Sequence, residues 1–193
     1  KYDTTVMYNR YNITKLIKNG KNVITVILGN GCYCVNYPRW DEYKAPWVHH
    51  PKLILCLEII FKDGTNDRIV TDSSWKVCTS PIIYNETRRG EIYDARLEND
   101  EIFDAGYNDN DWDNVFVCRG PGGVMKKADI PPIRVVRELK AVKISENVYD
   151  LGQNISGWIK MTAAGKRGRK VTFRYAELLN KDGSINPDEL NTI

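Results

Sequence analysis

The stretch Val148–Asn186, VYDLGQNISGWIKMTAAGKRGRKVTFRYAELLNKDGSIN, decides the fold class. Val148 to Leu151 is a short apolar strand that runs into Gly152-Gln-Asn-Ile-Ser, a cluster of turn formers. Trp158 to Thr162 alternates apolar and polar residues, and Val171 to Tyr175 does so again. Gly165-Lys-Arg-Gly168 and Lys181-Asp-Gly-Ser184 have the composition of loops and turns. Such alternation with glycine punctuation predicts β-structure. Three strands cannot close two packed sheets, since sandwiches of this kind use about seven. The stretch therefore reads as the opening of a β-sandwich.

Upstream the same grammar continues. Thr14 or Asn12 caps a short turn, and Lys18-Asn-Gly-Lys-Asn22 turns the chain into the β-branched run Val23 to Leu28, predicted to be a buried strand. Lys52 to Phe61 predicts another strand, closed by Lys62-Asp-Gly-Thr65 into a hairpin with Asn66 to Val70. Helical periodicity is almost absent, and the chain is predicted to be all-β. Prolines in Ile130-Pro-Pro-Ile133 block strand pairing, which sets a boundary between residues 1–132 and residues 133–193. The first region is expected to be a jelly-roll or galactose-binding-like sandwich without its own first strands. The second is expected to be part of another sandwich.

Composition narrows the function classes. Of 193 residues, 28 are Lys or Arg and 25 are Asp or Glu, a net charge of +3 that offers no strong field for nucleic acid or an anionic membrane. The densest basic run, Lys166 to Lys170, lacks interleaved aromatics and reads as a solvated hairpin loop. No apolar run approaches the roughly 18 residues of a membrane span. Cys32, Cys34, Cys56, Cys78 and Cys118 are odd in number and fit buried thiols better than a disulfide framework. Cys32-x-Cys34 has no second Cys or His pair at zinc spacing. Asp109-x-Asp111-x-Asp113 begins like a calcium loop, but Asn114 stands where glycine is needed and Gly120 where the bidentate Glu belongs.

Two motifs invite a structural reading. In Asp72-Ser-Ser-Trp75 and Asp109-Asn-Asp-Trp112 an Asp that can bond its own turn precedes a Trp that can plug a strand end. Between them, Arg89 to Glu98 alternates as a strand, which places Glu91 and Asp94 on opposite faces. Acid and base carboxylates of a glycosidase must instead straddle one bond. A buried Asp94–Arg96 or Glu91–Arg ion pair is the expectation, and no catalytic residue is assigned.

Asn30-Gly-Cys-Tyr33, Asp63-Gly-Thr65, Thr71-Asp-Ser-Ser-Trp-Lys76, Ser80-Pro-Ile82, Gly90-Glu-Ile-Tyr-Asp-Ala-Arg96 and Asn110-Asp-Trp112 occur in an order that resembles the non-catalytic N-terminal domain of bacterial α-L-rhamnosidases, glycoside hydrolase family 78. Pro131 to Val135, Leu151 to Trp158, Arg174-Tyr-Ala-Glu177 and Asp182-Gly-Ser184 resemble the concanavalin-like sandwich that follows it. The resemblance implies an accessory region ahead of a helical barrel that performs inverting cleavage of terminal α-L-rhamnose, with the chain itself non-catalytic. Its partners would be L-rhamnose or rhamnosides and the enzyme's remaining domains, with no nucleic acid and no membrane. The compartment stays open, periplasmic or secreted for the parent enzyme.

In some members this first domain binds rhamnose through a calcium ion, which suits vicinal hydroxyls. The resemblance then points to Asn30, Trp40 and Trp47 for the sugar, and to Asn30, Asp41 and Pro81 for calcium, with Glu42 and the loop Thr79-Ser-Pro81 nearby. Gly29 and Gly31 flank Asn30, so no acidic ligand adjoins it. Gly152, Gln153, Asn154 and Trp158 are expected to be structural.

Overall fold

A computed structural model describes residues 3–31, 33–35, 48–86 and 89–186. The chain is all-β: among the described residues there are ten strands, two 3₁₀ turns and no α-helix. It divides into two compact units, Lys1–Asp129 and Ile130–Ile193.

In the first unit, β1 (Thr5–Tyr8) pairs in parallel with β8 (Val124–Lys127). The hairpin expected after Lys52 forms as β2 (Cys56–Ile60) and β3 (Asn66–Val70), antiparallel, with Leu57 opposite Ile69 and Glu58 opposite Arg68. Leu57 and Ile59 are half-buried while Cys56, Glu58 and Ile60 face outward, as the period of two requires. Its turn closes because Gly64 takes φ +85°, and because Asp63 Oδ1 accepts from both the amide and the hydroxyl of Thr65 at 2.9 and 2.7 Å.

The two Asp-x-x-Trp corners meet. β4 (Lys76–Val77) follows the first and β7 (Asp113–Asn114) follows the second, and they pair antiparallel, Lys76 opposite Asn114. Asp72 Oδ1 accepts from the Ser74 amide at 2.8 Å, and Trp75 Nε1 donates to the Val70 carbonyl at 3.1 Å. The second corner carries a tilted Tyr107–Trp112 ring pair at 5.9 Å. Each Trp is half-buried, as a plug at a strand end would be.

β5 (Ile82–Glu86) and β6 (Gly90–Tyr93) form the remaining hairpin of this unit, with a bulge between Ile82 and Tyr84. The strand predicted across Arg89 to Glu98 stops at Tyr93. Asp94 turns the chain by accepting from the Arg96 amide at 3.1 Å, and the 3₁₀ turn Ala95–Leu97 follows. A side-chain acceptor that offers the backbone a local bond competes with the ladder, and here it wins. The Asp94–Arg96 ion pair does form, at 2.6 Å, but Arg96 is 53% exposed, so the pair is not buried. A second 3₁₀ turn, Asp100–Phe103, is capped by Asn99.

In the second unit β9 (Val142–Lys143) pairs antiparallel with β10 (Tyr149–Asp150). The Asp182-Gly-Ser184 turn brings Leu179 opposite Ile185. Three runs expected to be strands, Val23 to Leu28, Trp158 to Thr162 and Val171 to Tyr175, carry no ladder. β-propensity describes a side chain's fit to a pleated surface; it does not supply the neighbouring strand. The expected buried strand at Val23 is half-exposed for the same reason. The expectation of buried thiols also fails: Cys56, Cys78 and Cys118 are exposed and Cys34 is partly so. Cys32 lies outside the described residues.

Candidate functional site

A shallow recess of about 120 Å³ lies where the chain after Leu28 passes the start of β5. Ile27, Leu28, Asn30, Ser80, Ile82 and Asn85 contribute to its walls. Asn30 and Ser80 thus share its walls, while Pro81 is not among the lining residues. The bulge at Ile82–Tyr84 adjoins it, a common device for re-aiming side chains beside a site.

Asn30 is held there by Asn85. The Asn30 amide donates to Asn85 Oδ1 at 3.0 Å, and Asn30 Nδ2 donates to the Asn85 carbonyl at 3.2 Å. Sequence reasoning missed Asn85, because a separation of 55 positions leaves no local signal. Ser80 is occupied by β5: its Oγ accepts from the Ile82 amide at 3.1 Å. The Pro81 carbonyl accepts from the Asp94 amide at 2.8 Å, which ties the loop to the end of β6. Trp40, Trp47, Asp41 and Glu42 lie outside the described residues.

Calcium favours carboxylates together with carbonyl oxygens. The described lining of the recess is neutral, with Asn30, Ser80, Tyr84 and Asn85 as its polar members. Among the described residues no group of three His, Cys, Asp or Glu is placed to hold a metal ion. These residues alone do not make a calcium site.

Glu91 lies on β6, and Asp94 directly follows it. Glu91 stands opposite Asn85 in the ladder, while Asp94 is bonded to Arg96 through both carboxylate oxygens at 2.8 and 2.6 Å. Tyr93 donates its hydroxyl to Glu98 Oε1 across the strand-to-turn junction. That bond, with nearby carboxylates of Glu98, Asp100 and Glu91, pushes the phenol up to about 12. Among the described residues no helix is long and apolar enough to cross a membrane.

Residues 1–137 match the α-L-rhamnosidase N-terminal domain, and residues 140–193 match the bacterial α-L-rhamnosidase concanavalin-like domain. An α-L-rhamnosidase of Streptomyces avermitilis is 31% identical over 95% of this chain and 18% of its own length. One from Formosa agariphila is 30% identical over 94% of this chain and 20% of its own. The solved structure of an α-L-rhamnosidase from Dictyoglumus thermophilum superposes with a TM-score of 0.78 at 34% identity, covering 96% of this chain and 21% of that one. That of the Streptomyces avermitilis enzyme, complexed with L-rhamnose, gives 0.57 at 28% identity over 72% of this chain and 14% of that one. The chain spans about a fifth of the length of the relatives it matches. Both domain matches run in order along the chain, which belongs to the α-L-rhamnosidase family.

Proposed function

We propose that this chain is the accessory β-region of an enzyme that removes terminal α-L-rhamnose from glycosides, and that it supports the catalytic domain without itself cleaving sugar. The observation that carries this reading is the engagement of its best-placed carboxylates. Asp94 is spent on Arg96 and on capping a turn, and Glu98 accepts from Tyr93. Among the described residues, the lining of the recess carries no carboxyl group, whereas glycoside hydrolysis needs two across one bond. Residues 1–132 would form a jelly-roll-like sandwich and residues 133–193 would contribute strands to a concanavalin-like one. The partners are then the enzyme's remaining domains, with a rhamnoside as the substrate of the whole.

Assay of the chain on a chromogenic α-L-rhamnoside is expected to give no turnover, and measurable hydrolysis would overturn the assignment. Calorimetric titration with L-rhamnose, with and without calcium, is expected to give no heat. The neutral recess around Asn30 lacks the charged oxygens such a complex would use. Saturable heat that depends on calcium would instead make the region a sugar-binding module, with Trp40, Trp47 and Asp41 as the residues to replace next.

A further inference from the structure

Two Asn-Gly steps occur in the chain, Asn19-Gly20 and Asn30-Gly31, and they sit in opposite environments. Asn-Gly is the step at which a backbone amide most readily attacks the preceding side chain, because glycine puts no Cβ in the way. Asn19 lies in an exposed turn with Gly20 at φ +88°, and its carboxamide makes no hydrogen bond among the described residues. Asn30 is part-buried in the recess, and its amide and carboxamide both bond to Asn85. A side chain at position 29 would also meet the Asn85 carboxamide, 3.6 Å from where its Cβ would lie. The Asn85 amide therefore packs against the backbone that leads into Asn30.

We infer that Asn30 is a latent deamidation site, and that Asn85 is the positioning residue that keeps it an amide. In the reaction the Gly31 nitrogen attacks Asn30 Cγ and a new C–N bond forms. The Cγ–Nδ2 bond breaks, and ammonia leaves with the Gly31 amide proton. Water then opens the cyclic imide at either carbonyl to give aspartate or isoaspartate. One water enters and one ammonia departs, with no change of oxidation state. The attack requires the Asn30 carboxamide to rotate over the following peptide. Rotation breaks the Nδ2 bond to the Asn85 carbonyl and strains the amide bond to Asn85 Oδ1. The product places a negative charge in a recess whose described lining is neutral. Deamidation would thus change what the recess can hold without any change in the gene.

The test is peptide mapping by mass spectrometry after incubation of the whole chain at mildly alkaline pH, with Asn19 as internal reference. Two hydrogen bonds of ordinary net strength correspond to deamidation roughly thirtyfold slower at Asn30 than at Asn19. In concentrated urea the two sites are expected to react at similar rates. Asn85→Ala removes the Oδ1 acceptor and is expected to speed Asn30 about fivefold while leaving Asn19 unchanged. Asn85→Asp keeps that acceptor and should react at Asn30 as slowly as the unsubstituted chain. Equal rates at the two sites in native buffer would overturn the proposal. So would an Asn85→Asp variant as fast as Asn85→Ala, since a fold weakened at β5, rather than the lost acceptor, would then be the cause.

Discussion

Asp63, Asp72 and Asp182 repeat one device: each Oδ1 accepts from both the amide and the hydroxyl of the residue two places on, Thr65, Ser74 or Ser184. Hydroxyl and backbone bonds to the charged form hold all three carboxyls below the usual Asp range. A depressed folded value means that the turns' contribution is present above the ordinary Asp pKa, about 3.9, and is lost as pH falls through the folded value. Carboxyl carbon shifts followed through an acid titration should place the three midpoints below that reference. Thr65→Ala should return Asp63 toward it. Tyr93 works at the other extreme. Its bond to Glu98 raises the phenol to about 12, so the contribution is intact below pH 10.0 and disappears as pH rises toward the folded value. The tyrosinate absorbance of Tyr93, isolated by difference against Tyr93→Phe, should show a midpoint that falls toward 10.0 in Glu98→Gln. The aspartate turns were legible in the sequence because Asp-x-Ser and Asp-x-Thr are local. The Tyr93–Glu98 contact was not, because it depends on the strand breaking at Asp94.

At the scale of elements, what could be read depended on how far apart the partners lie. The β2–β3 hairpin followed from its turn, and the Asp-x-x-Trp corners followed from Asp turn chemistry and the bulk of Trp. That the corners pair with one another through β4 and β7 had no local signal, any more than Asn85 reaching Asn30 did. The run Val23 to Leu28 failed from the opposite cause, strong propensity with no strand beside it. The first corner predicts a measurable effect. Trp75 ties the end of β3 to the start of β4 through its bond to the Val70 carbonyl, and its own carbonyl accepts from the Val115 amide at 3.3 Å just beyond β7. Trp75→Phe keeps most of the ring and loses the donor, worth about 1 kcal/mol, so the Val115 amide should exchange roughly fivefold faster. Trp75→Ala loses the ring contacts as well and should cost about 2 kcal/mol or more at the same amide. Unchanged exchange in both variants would show that the corner does not hold β4 to β7.

Among the described residues no side chain is fully buried, and Phe116, Ile133 and Val136 are 97%, 94% and 94% exposed. Among the described residues every sheet is two-stranded, so each strand shows one open edge, and two-stranded pairs alone are marginal in water. Local turns and ion pairs such as the exposed Glu58–Arg68 bridge at 2.9 Å contribute too little to replace the missing burial. The apolar faces and free edges are what an accessory region would turn toward the rest of a larger enzyme, in keeping with relatives about five times as long. The consequence is that the 193-residue chain by itself should bind a hydrophobic dye, melt over a broad range and self-associate at micromolar concentration. Fused to the remaining domains of a full-length α-L-rhamnosidase, it should lose the dye signal and melt in a cooperative step. Ultracentrifugation and calorimetry of the chain alone decide the matter. A monodisperse monomer with a single sharp transition would mean that its strands find each other without the rest of the enzyme, and the supporting role would then need another physical basis.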